Sequence, residues 1–262
     1  MNNLFLSDCY DTSPETKQSF LSKITLNSRF YFFARTVWIF YLVARCARRG
    51  LLNRDNQVHY SNKNIWTIEH CGAKIHLRGL DNLDAENGPY VIVGNHMSSV
   101  ETAVLNAIIG PRLLFTFIFK RSLLKVPYLN SALRTQNAIA VDRVNPREDF
   151  KTILAEGKKR LQNGCSVLVF PQSTRCFELI PEEFNTIGVK LARNAGVKII
   201  PMALKTDFLG HGKIIKDFGP LDKRKDIYFE FGAPITVEGN GRDAHRQVIE
   251  FIRSRLEAWN KV

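Results

Sequence analysis

From about residue 72 onward the chain alternates between short apolar runs and segments whose apolar positions recur three and four residues apart. "AKIHLRGL" reads as a strand closing at Gly79, and the turn-rich "NLDAENGPY" leads into "YVIVG", apolar on both faces. A strand without polar alternation belongs in a sheet covered on both sides. "LLFTFIF", residues 113–119, has the same character and reads as a buried strand, with the lining of an apolar groove as the other use of such a run. Asn145 and Pro146 then read as the N-cap and first position of a helix. Phe150, Ile153, Leu154 and Leu161 form its apolar stripe, and Gly164 ends it. "SVLVF" is a further buried strand. A helix around 184–195 stops at Gly196, "VKIIPMAL" and "DIYFEFG" are strands, and Val248, Ile249, Ile252 and Leu256 mark one face of a closing helix. Strands alternating with helices predict an α/β fold: a mixed central sheet flanked by helices.

The first sixty residues differ. Residues 30–44, "FYFFARTVWIFYLVA", are apolar except for Arg35 and Thr36, and basic residues flank them: Lys23 and Arg29 before, Arg45, Arg48 and Arg49 after. Fifteen helical residues cover about 22 Å, short of the roughly 30 Å of a bilayer core. The pattern therefore predicts a helix lying in the membrane interface rather than crossing it, with a buried edge helix as the alternative. The expected organisation is a helical, membrane-contacting segment over 1–60 and one catalytic-size domain over 61–262.

Composition sharpens this. A chain of 262 residues with 45% hydrophobic and 24% charged positions folds around a core, and a net charge of +12 points to anionic partners. The lysines and arginines are dispersed and no nucleic-acid-binding module is present, so anionic lipid or an acidic carrier protein is expected and nucleic acid is not. Five cysteines, with no CxxC pair, predict neither a disulfide framework nor a zinc site, and fit a reducing compartment. The first twenty residues lack a basic stretch running into an apolar one, so no secretory signal is expected.

Ligands in α/β sheets gather beyond the carboxyl ends of strands. Three polar clusters fall there: Asn95-His96, Asp142-Arg143, and Gln172-Ser173-Thr174-Arg175. In "NHMSSVE" a carboxylate follows His96 by five residues. Glu101 can hold one ring nitrogen and make the other a base for a hydroxyl proton. It can equally be the third residue of a capping box begun by Ser98, and one carboxylate can serve both. Each arginine has a structural alternative as well, an ion pair with Asp142.

Four blocks, taken in order, resemble the glycerolipid acyltransferases, the 1-acylglycerol-3-phosphate acyltransferases and their relatives. They are "NHMSSVE", "AIAVDR" (138–143), "FPQSTR" (170–175) and "VKIIPMAL" (197–204), and the likeness covers roughly residues 74–240. The departures are Glu101 for the usual Asp, Gln172 for Glu, Ser173 for Gly, and Asn185 and Ile187 for Lys and Gly. The resemblance implies that His96 is the general base on an acceptor hydroxyl, that Glu101 orients it, and that the thioester is attacked directly. It also implies that Asn95, Arg143, Gln172, Ser173, Thr174 and Arg175 surround the substrates, the arginines on phosphate. No metal and no cofactor are expected beyond acyl-CoA or acyl carrier protein as co-substrate. The acceptor so implied is a lysophospholipid, foremost 1-acylglycerol-3-phosphate giving phosphatidate. A lyso-ornithine lipid, another lysophospholipid, glycerol-3-phosphate, or a lipid-binding relative without catalysis are the alternatives. The expected place is peripheral or monotopic, on the cytoplasmic face of a membrane.

Overall fold

The computed structural model describes residues 5, 7–24, 29–126, 129–172, 174–213 and 216–261; Ser173 lies outside them. Among these residues eight strands form one sheet: β1 (Tyr10–Asp11), β2 (Ile75–Arg78), β3 (Val91–Gly94), β4 (Phe115–Lys120), β5 (Ile139–Val141), β6 (Ser166–Val169), β7 (Ile199–Lys205) and β8 (Ile227–Phe231). Their spatial order is β1-β2-β8-β7-β3-β6-β4-β5, with β1–β2 and β7–β8 antiparallel and all other neighbours parallel. The sheet is mixed, as the apolar runs predict, and "LLFTFIF" supplies β4 between β6 and β5.

The helices are α1 (Phe20–Ile24), α2 (Arg29–Arg48), α3 (Arg54–His70), α4 (Val100–Ile108), α5 (Leu129–Thr135), α6 (Pro146–Gln162), α7 (Ile187–Ala195) and α8 (Arg242–Trp259). Helix α6 starts where its cap dictates: the Asn145 side chain accepts from the N–H groups of Arg147 and Glu148. Helices α6, α7 and α8 pack on β5, β6, β3 and β7, while α3 packs on α4. The expected boundary at residue 60 falls inside α3, and Tyr10–Asp11 joins the sheet edge, so the N-terminal region is tied into the domain.

Helix α2 is longer than the apolar run alone implies. It extends through its basic ends to 20 residues, about 30 Å of helix, enough by length and composition to cross a bilayer. One of its faces nevertheless belongs to the protein. Phe32 enters the main core, and Ile39, Val43 and Cys46 form a smaller cluster with Leu52 over α3 and α5. Phe30, Val37 and Trp38 stay exposed, as do Phe20, Leu21 and Ile24 on α1. The result is a helix half-packed on the domain with an apolar, aromatic outer face.

Candidate active site

The site follows from the order β6-β3-β7. These three adjacent strands are parallel, so the segments leaving their carboxyl ends converge: Asn95–Glu101 after β3, Gln172–Arg175 after β6, and Thr206 onward after β7. β3 ends at Gly94, where a Cβ would come within 2.6 Å of Met202 Cε and 2.9 Å of the Met202 carbonyl; only glycine permits this approach. Asn95 then fixes the exit. Its amide donates to the Leu204 carbonyl (2.8 Å) and accepts from the Leu204 N–H (2.9 Å). Expected beside substrate, Asn95 is buried, and its amide is spent on bolting the β3 exit to β7.

His96 follows, partly exposed, with its ring stacked on Phe170 at 4.3 Å. Its Nδ1 lies 2.7 Å from Glu101 Oε1. The carboxylate is fully buried yet well supplied with donors. Oε1 also accepts from the Met97 N–H (2.7 Å) and the Ser98 N–H (2.9 Å), and Oε2 accepts from Thr206 Oγ1 (2.7 Å). Ser98 Oγ lies 3.1 Å from Oε2 and 2.9 Å from Thr206 Oγ1. Burial by itself pushes the Glu101 carboxyl up; the hydrogen bond and charge of His96, joined by Thr206, outweigh it and hold the group below its ordinary value. An ionised carboxylate only accepts, so Nδ1 is the donor in this contact, and the neutral form of the ring carries its lone pair on Nε2.

The two roles read for Glu101 in the sequence coincide only in part. Helix α4 begins at Val100, with Ser99 at the cap position and no side-chain cap bond. Glu101 does reach back to the Ser98 N–H, but Ser98 Oγ accepts from Val100 rather than from Glu101, so the expected reciprocal box is not formed. The carboxylate serves His96 and Thr206 as well.

The β6 loop supports the same histidine. Gln172 is buried; its Oε1 accepts from the His96 N–H (3.2 Å) and its Nε2 donates to the Glu178 carbonyl (3.2 Å). Glutamate could not make the second bond, which accounts for the amide at this position. Asn185, the other departure, donates to the Pro171 carbonyl and accepts from the Ile187 N–H, fastening this loop to the start of α7. The Cys176 N–H donates to the His96 carbonyl (2.9 Å), which brings Arg175 next to the histidine. Thr174 is exposed on the loop.

Arg175 pairs through both guanidinium N–H arms with Asp217, not with Asp142. Burial moves its guanidinium down from the ordinary value, the Glu101 charge opposes this and Arg143 adds to it; an arginine nonetheless stays charged. Arg143 is therefore within electrostatic reach, although β5 lies two strands from β6. It sits at a positive φ of 59°, and the Asp149 carboxylate holds the loop by accepting from the N–H groups of Asp142 (3.0 Å) and Arg143 (2.8 Å). Asp142 itself pairs with Arg121 (2.8 Å). Two more residues reach the site: Thr206 escaped the sequence reading, and His211 was legible only as part of a glycine-rich loop that could border it. The only signal for Thr206 was a hydroxyl just past a strand end. The His211 ring stacks on Phe177 (4.1 Å), and its Nε2 donates to the Met97 carbonyl (2.9 Å).

Comparison with known proteins agrees with this construction. A model of the family described as Acyltransferase matches residues 74–205, half of the chain. A 1-acyl-sn-glycerol-3-phosphate acyltransferase of Pseudomonas aeruginosa is 32% identical over 196 residues, covering 74% of this chain and 71% of that protein. A protein of the same name from Saccharomyces cerevisiae is 24% identical over 87% of this chain and 77% of its own length. A chloroplastic one from Arabidopsis thaliana is 30% identical, but this chain spans only 38% of it. The crystal structure of the 1-acyl-sn-glycerophosphate acyltransferase of Thermotoga maritima superimposes with a TM-score of 0.66 over 92% of this chain and 97% of that one; at 20% identity this speaks for the fold. With the family matched over half its length, and the Pseudomonas relative over more than two thirds of its own, this chain belongs to the acyltransferase family and is an O-acyltransferase similar to the 1-acylglycerol-3-phosphate acyltransferases.

Proposed function

We propose that the protein transfers a fatty acyl group from acyl-CoA or acyl carrier protein to the free hydroxyl of a lysophospholipid, foremost 1-acylglycerol-3-phosphate, giving phosphatidate. The observation that carries this reading is the 2.7 Å contact between His96 Nδ1 and the buried Glu101 carboxylate, set beside two arginines at the carboxyl ends of parallel strands. In the proposed step the acceptor hydroxyl hydrogen-bonds to His96 Nε2. Its oxygen forms the new bond to the thioester carbonyl carbon as its proton passes to the ring. The imidazolium so formed is stabilised by the Glu101 charge. The tetrahedral oxyanion collapses, the C–S bond breaks, and the departing thiolate takes the proton, leaving ester, thiol and a neutral histidine. Arg175 and Arg143 anchor phosphate, for which a guanidinium fork is suited.

The relatives' names support the acceptor. The net charge of +12 suits an acyl donor carrying a phosphorylated pantetheine as well as anionic lipid. The exposed aromatic face of α2, with Arg29, Arg45 and Arg48 at its ends, supports a peripheral or monotopic position on the cytoplasmic side of a membrane. The test is thiol release from palmitoyl-CoA and from palmitoyl carrier protein, with lysophosphatidate, other lysophospholipids, a lyso-ornithine lipid and glycerol-3-phosphate offered in turn. Release that depends on lysophosphatidate, with phosphatidate as product, is the expected result. Release with a different acceptor only would move the substrate, and none with any pair would leave lipid binding alone.

A further inference from the structure

The loop that follows Thr206 runs from the Glu101 pocket to the lipid-contact helix. Its base is closed by backbone pairs: the Gly210 N–H to the Pro220 carbonyl (2.8 Å), the Asp222 N–H to the Phe208 carbonyl (2.8 Å), and a bridge between Leu209 and Leu221. One side leans on the site. His211 holds the Met97 carbonyl, Lys216 Nζ donates to the Arg175 carbonyl (2.6 Å), and Asp217 takes the Arg175 guanidinium. The other side leans on α2. The Phe218 ring lies 4.5 Å from that of Phe33, and Arg29 Nη1 donates to the Phe218 carbonyl (3.0 Å). Asp217 is thus held between two anchors, one at the active-site loop and one at the helix that faces lipid.

An arginine suited to bind phosphate is here already bound, in the two-armed manner that phosphate itself would use. We propose that Asp217 is a specificity-determining counter-ion: it occupies Arg175 in the acceptor-free enzyme and gives way to the acceptor's phosphate. The proposal rests on the reading of Arg175 as a phosphate anchor. The physical consequence is discrimination by charge. A membrane surface presents many phosphodiesters, each with a single negative charge, whereas a phosphomonoester near neutral pH approaches two. With the Asp217 carboxylate on Arg175, in addition to the buried Glu101 charge that already acts on it, the site binds a doubly charged head group well enough to displace Asp217, and a singly charged one poorly. Without the carboxylate the arginines would hold bulk lipid head groups more tightly, and these would compete with substrate at the membrane surface. Asp217 is only partly exposed, at 43%, and Asn is its isostere, so D217N tests the charge rather than the fold.

The experiment is steady-state acyl transfer in mixed detergent micelles, comparing wild type with D217N and R175Q. Lysophosphatidate is the phosphomonoester acceptor and lysophosphatidylglycerol the phosphodiester. D217N is expected to lower the KM for lysophosphatidate by about fivefold, the size of one partly exposed ion pair, acting through KM rather than kcat. The KM for lysophosphatidylglycerol is expected to fall by a similar factor, because a displaced carboxylate costs every incoming phosphate alike. R175Q should raise the KM for lysophosphatidate. If D217N leaves that KM unchanged or raises it, at an unaltered thermal midpoint, while R175Q raises it, Asp217 merely positions the arginine. The proposal is then wrong although the phosphate anchor stands. If R175Q leaves KM untouched, the anchor reading fails and this proposal fails with it.

Discussion

At the scale of single residues the account turns on a buried carboxylate that stays ionised. Glu101 is fully buried, and its donors come from His96, Thr206 and two backbone N–H groups. A Glu101→Gln side chain keeps the backbone bonds through its oxygen but loses the charge that supports an imidazolium. Turnover should fall by about 10²-fold, the lower end of what a positioned general base contributes. Acid sensitivity provides an independent check. The folded carboxyl lies below its ordinary 4.5, so it adds stability above that value and loses it as pH falls through the lower, folded one. Denaturant midpoints followed downward from pH 6 should drop for wild type and stay flatter for Glu101→Gln; parallel curves would mean the charge is not held as described. His96 and Glu101 were legible in the sequence because five residues of one turn carry both. Thr206 and Asp217 were not, since they reach Glu101 and Arg175 from a loop 105 and 42 residues further along the chain, and local pattern holds no record of either pairing. The departures became intelligible only with geometry: Gln172 must donate as well as accept, and Asn185 spends its amide on Pro171.

At the scale of elements, apolar runs and their stops carried most of the fold. Gly79, Gly164 and Gly196 take positive φ where the strand or helix was expected to end, and Asn145 caps α6 as its spacing implies. Asn145→Ala should cost about 1 kcal/mol, read from the urea midpoint, because two N–H groups lose their acceptor. The same first turn carries Asp149, so its fraying should also raise the KM for the phosphorylated acceptor by releasing Arg143. Gly94→Ala should cost about 1–3 kcal/mol by forcing β3 off Met202, and should lower activity by displacing His96. Two elements were misread for physical reasons. The length of α2 was underestimated because charged ends were taken as limits, although arginines continue a helix readily. Ser98 was expected to start α4, but its Oγ accepts from the Val100 N–H instead of the Glu101 N–H, so only the Glu101 half of the box forms.

At the scale of the molecule, three parallel strands aim three loops at one histidine, and the apolar-faced helix α2 touches one of those loops. Binding to anionic vesicles should weaken as salt rises, since part of the attraction is the +12 net charge. Trp38→Ser should weaken it by about tenfold with the thermal midpoint unchanged, because Trp38 is half exposed on the outer face of α2. Cosedimentation with phosphatidylglycerol vesicles measures both. The α/β class and the order of the site blocks were readable in the chain, whereas the pairing of β1 at the sheet edge, two residues long, left no periodic trace. The central claim is that His96 removes the proton from the acceptor. The most direct measurement is single-turnover thiol release from a palmitoyl thioester with lysophosphatidate, for wild type and His96→Ala. Loss of about 10³-fold or more, with an unchanged thermal midpoint, is the expected result. Release within tenfold of wild type would contradict the mechanism.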